Sequence, residues 1–291
     1  MSSLNLTLKP AQLEIIAKPG ASFTQAYEVT NNSDSSQYLT TSILPWLPAG
    51  SDGSVTYDNV YSNPNFSFSL NNSDLALGQT FVLHPQETRQ LVLKIKSDPG
   101  APLADSYFTF FISQDLTNSL APDSNFAAAS GRLGSHLLIS TSSNQSVSSQ
   151  ASVSNFTVSP KLKDIFFPNL QFKALVQNRS GYFFKTAGKL TITKDNLVIK
   201  ELTLFPQNVL SDSSRSINCL YQTNPEPVEG PCTLNPPFWP GKYTATLTLD
   251  PGQAAASASI SFYVFPYSFL LLAVLLASLF FALFRHPKPK S

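Results

Sequence analysis

The sequence contains few residues of the kinds that carry enzyme chemistry. It has 291 residues but only three histidines and two cysteines, and no histidine has a second ligand at the spacing of a metal site. Glycine-rich phosphate loops, nucleophile-elbow motifs and paired catalytic carboxylate motifs do not occur. We therefore predict a protein that is not an enzyme and that uses no cofactor and no metal.

Charge is also scarce. Only 13% of the residues are charged, with 19 basic and 18 acidic side chains. No basic stripe of the kind that contacts a phosphate backbone is present, and no acidic run that would suggest a solvating tail. Nucleic acid is therefore excluded as a predicted partner.

Helical periodicity is absent before residue 265, and alternation of apolar and polar residues takes its place. The stretches FTQAYEVTN, RQLVLKIKS, KYTATLTLD and SASISFYVF alternate with period two, which predicts half-buried antiparallel strands. YFTFFIS is apolar on both faces and predicts a central, covered strand. Turn signals such as KPG, SDG, DPGAP and WPG separate the strands. The pattern is typical of all-β, immunoglobulin-like β-sandwiches.

Two sandwiches in tandem are indicated. A serine-rich joint at 140–154, STSSNQSVSSQASVS, separates stretches that resemble each other in the order of their strands and turns. We place the first domain at 1–148 and the second at 149–264. Tyr107 and Tyr243 open corresponding strands, where a sandwich often has a tyrosine whose hydroxyl bonds back to the corner backbone.

A long hydrophobic run occurs once, at the end of the chain. The run 265–284, FPYSFLLLAVLLASLFFALF, has no charge and is followed at 285–291 by the basic tail RHPKPKS. This predicts a single-pass transmembrane helix with a cytoplasmic tail, two extracellular domains of which the first is membrane-distal, and the lipid bilayer as a partner. A cleaved lipid-anchor signal is the alternative interpretation of the apolar run. Because MSSLNLTLKPAQ contains no signal-peptide core, the sequence is interpreted as a trimmed or mis-started version of a longer precursor, and the alternative is a tail-anchored protein with its bulk in the cytoplasm.

The two cysteines lie close together. Cys219 and Cys232 bracket CLYQTNPEPVEGPC, whose prolines and glycine make a loop with ends that can meet. A structural disulfide is predicted, which agrees with an exterior location. The alternative is two unpaired buried thiols.

The two tryptophans are the candidate binding anchors. Trp46 lies in ILPWLPAG and Trp239 in PPFWPG, both flanked by prolines. A tryptophan on such a loop can anchor a partner. The alternative role for each ring is to fill the end of a sandwich core.

In layout the chain resembles the WxL-interacting proteins of Gram-positive cell surfaces. The stretches LEIIAKPGASFTQAYEVTNNSDSSQYLTTSI, SYFTFFISQ, VQNRSGYFFKTAGKLTITKDN and FWPGKYTATLTL are similar to segments of their two immunoglobulin-like domains. The resemblance implies a membrane-anchored extracellular binding or adhesion module. Its expected partners are a peptidoglycan-like cell-wall polymer and other surface proteins.

A second function is compatible with the same sandwiches. A membrane-bound assembly chaperone for surface or pilus-like subunits would offer an exposed strand edge, with basic residues that capture a terminal carboxylate. Arg132, Lys161 and Lys163 lie near the predicted joint and are the candidates for that charge.

Overall fold

The computed structural model describes residues 5–57, 63–115, 131–164, 169–223, 225–234, 239–249 and 256–284. The chain divides into two compact units. Unit 1 is Met1–Ser148 together with Ser180–Phe183, and unit 2 is Ser149–Arg179 together with Phe184–Ser291.

The described residues of unit 1 form ten strands: β1 (Leu6–Lys9), β2 (Gln12–Ala17), β3 (Ser22–Asn31), β4 (Gln37–Ala49), β5 (Ser54–Tyr57), β6 (Phe66–Leu70), β7 (Phe81–Leu83), β8 (Thr88–Ser97), β9 (Asp105–Gln114) and β10 (Arg132–Thr141). One sheet has the order β1-β3-β8-β6. The other has the order β2-β10-β9-β4-β5, with β7 also paired to β4. Every pairing is antiparallel except that of β2 with β10, which is parallel.

The core of unit 1 lies between these two sheets. Alternate residues of β3 and β8 are buried, and their side chains meet the apolar run of β9. The Tyr27 and Phe110 ring centroids, from opposite sheets, are 4.8 Å apart. Full burial of one such large apolar side chain stabilises the fold by roughly 2 kcal/mol. The predicted sandwich class and the central position of YFTFFIS are confirmed, since β9 lies between β10 and β4.

In unit 2 the part of the chain that the structure describes forms thirteen strands and a helix: β11 (Ala151–Ser159), β12 (Leu162–Lys163), β13 (Leu170–Asn178), β14 (Phe184–Lys185), β15 (Gly188–Lys194), β16 (Leu197–Thr203), β17 (Asn208–Val209), β18 (Ser214–Ser216), β19 (Cys219–Tyr221), β20 (Val228–Gly230), β21 (Thr233–Leu234), β22 (Gly241–Leu249), β23 (Ser257–Val264) and α1 (Tyr267–Phe284). One sheet is β11-β13-β18 with β21 paired to β13, and the other is β12-β23-β22-β15-β16. The pairs β14-β17 and β19-β20 are separate.

The core of unit 2 also lies between its two larger sheets. Phe172 of one sheet meets Phe262 of the other, with ring centroids 5.9 Å apart. The predicted disulfide is confirmed, because Cys219 and Cys232 are bonded to each other and both are fully buried in this core. The predicted tyrosine corner is confirmed for Tyr243, whose hydroxyl donates to the Trp239 carbonyl at 2.6 Å.

The prediction of a transmembrane helix at 265–284 is wrong. The helix begins at Tyr267, and its 18 residues measure about 27 Å, against roughly 30 Å of bilayer hydrocarbon. Its side chains from Phe269 to Ala282 are exposed. Within the described ranges, no helix combines the length and the apolar character that crossing a membrane requires. The predicted single-pass localisation is corrected accordingly, and the tail at 285–291 lies outside the described residues.

The first turn of α1 is held by a side chain that is distant in sequence. The buried Asp164 carboxylate accepts a hydrogen bond from the Ser268 N–H at 2.6 Å, and the Phe265 N–H donates to the Lys163 carbonyl at 2.8 Å. A carboxylate at this place satisfies a helix-terminal donor and interacts favourably with the helix dipole. The start of the helix is therefore fixed to unit 2.

Asp164→Ala is expected to release this turn. Loss of a capping acceptor costs about 1 kcal/mol, so amide exchange at Ser268 should become about fivefold faster. Hydrogen exchange resolved at single amides measures the change. Asp164→Asn keeps one acceptor oxygen without the charge and should have a smaller effect. Equal exchange rates in Asp164→Ala and the wild type would contradict the capping role.

Candidate functional site

One strand of unit 1 has an edge that is only partly paired. β9 pairs with β10 along its length, from Arg132 to Ser140. On its other side β10 pairs with β2, but only from His136 onward. Within the described part of the chain, the stretch Arg132–Ser135 is therefore paired with a strand on one side only. We call it the open edge of β10.

Two residues of the open edge direct their backbone groups away from β9. The His136 N–H donates to the Ala11 carbonyl at 3.1 Å, on the β2 side, whereas the Gly131 carbonyl accepts from the Gln114 N–H on the β9 side. In an antiparallel pair, alternate residues direct both their N–H and their C=O to the same side. Arg132 and Gly134, which alternate with His136, therefore present two N–H and two C=O groups at the open edge.

The Arg132 guanidinium lies over two aromatic rings next to this edge. Its central carbon is 4.4 Å from the Phe111 centroid and 5.4 Å from the Tyr57 centroid. Gly134 allows this packing, because a Cβ there would be 2.6 Å from Thr109 Cγ2 and 2.9 Å from Phe111 Cε1. Stacking uses the face of the guanidinium and leaves its N–H donors in the plane free to bind a carboxylate.

A chain of polar groups stiffens the same outer face. The hydroxyls of Tyr57 and Thr109 share a hydrogen bond of 3.0 Å, and Thr109 Oγ1 shares another of 2.9 Å with His136 Nδ1. Burial lowers the pKa of His136, so its ring is uncharged at neutral pH. Arg132 thus supplies the positive charge at this site.

The two predicted anchor tryptophans occupy opposite environments. Trp46 is 3% exposed, stacks on Tyr107 with centroids 4.8 Å apart, and meets the edge of His136. Trp46 therefore lies on the outer face of its sheet, beside Tyr107 and His136, and not in the core between the two sheets, so neither predicted role is confirmed for it. Trp239 is 82% exposed, and the hydrogen bond from Tyr243 fixes its backbone. The anchor role therefore stays a prediction that only Trp239 has the surface to perform.

The three basic candidates for carboxylate capture are not brought together in one unit. Arg132 belongs to unit 1, and Lys161 and Lys163 belong to unit 2. Lys163 is 1% exposed, and burial lowers the pKa of its ammonium against the opposing effect of Asp164. Lys163 is therefore not a surface charge, and Arg132 is the candidate that lies on a free strand edge.

Sequence reasoning missed Tyr57, Thr109 and His136 as parts of one site. Tyr57 and Thr109 are separated by 52 residues, and Thr109 and His136 by 27. The available signal was that two apolar strands each contain a polar residue, Thr109 in one and His136 in the other. The register of the two strands places these residues opposite each other. That pairing is a tertiary fact and is not visible in either strand alone.

Comparisons with known proteins give a fold-level likeness only. No family model and no curated protein matches the chain. Among solved structures, the class 5 fimbriae chaperone CfaA is similar over 90% of this chain and 100% of its own, at 10% identity and a TM-score of 0.42. The E. coli chaperone DraB is similar over 89% and 97%, at 12% identity and a TM-score of 0.38. A chaperone–tip adhesin complex of CFA/I fimbriae biogenesis covers 73% and 87%, at 12% identity and a TM-score of 0.41.

These scores are all below 0.5, so the likeness by itself supports no conclusion about the activity of this chain. The solved structures named above are not WxL-interacting proteins. The resemblance to that family stays a prediction. No observation supports the predicted cell-wall polymer or lipid as partners.

Proposed function

We propose that the chain binds extended segments of other proteins at the open edge of β10 and acts as an assembly chaperone for surface or pilus-like subunits. The observation that carries the proposal is the set of four backbone groups that Arg132 and Gly134 direct away from β9. Such groups are a template for strand addition, in which main-chain hydrogen bonds supply affinity. The solved structures described above are named as fimbrial chaperones, but the proposal is based on the unpaired backbone groups of this edge.

Arg132 gives the edge a preference among segments. Its guanidinium is held over Phe111 and Tyr57, and it forms no ion pair with another described residue. A carboxylate on the incoming segment can accept two parallel N–H bonds from it. We therefore propose that the bound segment has a carboxylate, from its C-terminus or from an acidic side chain, beside Arg132.

Proline at position 132 is expected to block the edge. Arg132→Pro removes an N–H that points away from β9, so the β9–β10 ladder keeps its bonds. The probe is a ten-residue peptide of alternating valine and threonine with a free C-terminus, mixed with the full chain. Arg132→Pro should weaken its binding at least tenfold, as measured by fluorescence anisotropy, and wild-type amides at Arg132 and Gly134 should become protected from exchange.

Arg132→Ala is the matched control, because it keeps the N–H and loses only the guanidinium. It should weaken the free-acid peptide severalfold and leave the C-terminally amidated peptide unchanged. Equal binding of both peptides to the wild type and to Arg132→Pro would contradict the proposal. Retention of the wild type on purified peptidoglycan, with no protection at Gly134 by peptide, would support the cell-wall hypothesis instead.

A further inference from the structure

Unit 1 has a second opening, along one side of its sandwich. β1 pairs with β3 only at Glu28–Asn31, and the chain then passes into the other sheet as β2. The first half of β3 is therefore left with β8 as its one neighbour, and the outer edge of β2 has no strand beside it within the described residues. We call the space between these two edges the lateral groove.

The lateral groove reaches the core. It has a volume of about 380 Å³ and is lined by residues of β2 and β3, with Lys18, Ala21 and Gln145 also on its wall. Leu13, Ile15 and Phe23 are partly buried there and pack against the core of unit 1. Their remaining exposed surface is apolar, so alternate apolar side chains of an added strand would bury it.

The β3 wall of the groove presents a short row of backbone N–H and C=O groups to which a further strand could pair. The Ser97 N–H donates to the Ala21 carbonyl, which shows that Ala21 and the residues alternating with it face β8. Ser22, Thr24 and Ala26 therefore direct their backbone groups into the groove. The Gln25 side-chain amide already donates to the Ala26 carbonyl at 2.6 Å. Ser22 and Thr24 supply the free donors and acceptors.

Two lysines flank this row of backbone groups on the outer face. Lys96 lies opposite Ser22 and Lys94 opposite Thr24, and both lysines are exposed. Their neighbours on the far side are serines of β6, and neither lysine pairs with a carboxylate of a described residue. Serine and threonine are short, so a lysine side chain can extend over them toward a strand added beside β3, about 10 Å away across two strand spacings.

We propose that the lateral groove binds an extended peptide segment in which apolar and acidic residues alternate, paired with Ser22 and Thr24 of β3. The apolar side chains enter the groove against Leu13, Ile15 and Phe23. The acidic side chains, on the opposite face of the same strand, lie toward Lys94 and Lys96. The inference does not depend on the open edge of β10, because the two surfaces share no residue.

The probe is a capped six-residue peptide of alternating valine and glutamate, added to the full chain and followed by fluorescence anisotropy. A second peptide replaces each glutamate with lysine. The wild type should prefer the glutamate peptide at least tenfold, and Lys94→Glu combined with Lys96→Glu should reverse the preference. Lys200→Glu, at an exposed lysine of unit 2, is the matched control and should leave the preference unchanged.

Proline variants test this row of backbone groups. Thr24→Pro removes an N–H that faces the groove and leaves the β3–β8 bonds intact, so it should abolish binding of both peptides. Ser22→Pro, at the first residue of β3, is the second variant if Thr24→Pro does not fold. Binding that survives both prolines, or that falls equally in Lys200→Glu, would overturn the proposal. Arg132→Pro should bind the glutamate peptide normally, so failure at the open edge of β10 remains distinguishable.

Discussion

Removal of the disulfide is expected to lower the free energy of unfolding of unit 2 by about 3 kcal/mol. The bond closes a loop with a sequence separation of 13 and so restricts the unfolded chain. In the folded chain the backbone of Cys219 forms an isolated antiparallel β-bridge with Leu204. The Cys232 carbonyl accepts a hydrogen bond from the Phe172 N–H at 2.8 Å. The bond therefore fastens the β19–β20 hairpin to the core of unit 2.

The double variant Cys219→Ala with Cys232→Ala tests this prediction. The most protected amides of β13 and β22 should exchange about 100-fold faster than in the wild type, the ratio that corresponds to about 3 kcal/mol. Unit 1 contains no cysteine, so exchange in β8 serves as the internal control and should not change. An unchanged exchange rate in β13, or an equal acceleration in β8, would contradict a disulfide that stabilises unit 2 specifically.

The stability of unit 1 is expected to fall as the pH rises from about 4 to about 6. Burial raises the pKa of the Asp105 carboxyl from 3.8 to about 6. Hydrogen bonds from Ser140 and Tyr107, at 2.5 and 2.8 Å, and from the Phe183 N–H at 2.5 Å oppose part of this rise. The pKa of the Tyr182 hydroxyl is raised mainly by burial and, as a second cause, by the charge on Asp105.

The direction of this change in stability follows from the number of protons that the folded and unfolded states bind. Between pH 3.8 and about 6 the folded state holds the proton on Asp105 more tightly than the unfolded state does, so stability is lost as the pH increases. The pKa difference corresponds to a contribution of about 3 kcal/mol to the free energy of unfolding. This contribution is present below pH 3.8 and is lost above pH 6. Other carboxyl groups add their own dependence, so the comparison is made between variants.

Asp105→Asn should remove this part of the pH dependence. Urea unfolding of unit 1, followed by the fluorescence of the buried Trp46 in a Trp239→Phe background, measures stability at each pH from 4 to 7. Asp34→Asn, at an exposed carboxyl of the same unit, is the matched control. An identical slope in Asp105→Asn and the wild type would show that Asp105 does not hold its proton near pH 6.

The strands could be predicted from sequence because their signal is local. The period-two patterns of β3, β8, β22 and β23 lie where the alternation places them, since one face of each strand is buried. The disulfide could be predicted because Cys219 and Cys232 are the only two cysteines and lie at the ends of one short loop. The apolar run at 265–284 misled, because apolar composition alone does not fix where a helix begins or how long it is.

The candidate surfaces depend on how strands pair across long sequence separations, and only the tertiary structure decided this. The open edge of β10 exists because β2 pairs in parallel from His136 onward, and the lateral groove exists because β1 and β2 enter different sheets. Trp46 and Trp239 have similar proline-flanked sequences, yet one ring is buried and the other exposed. The alternation of a strand determines which side chains face the core, whereas the neighbour at its edge is chosen by contacts with residues far along the chain.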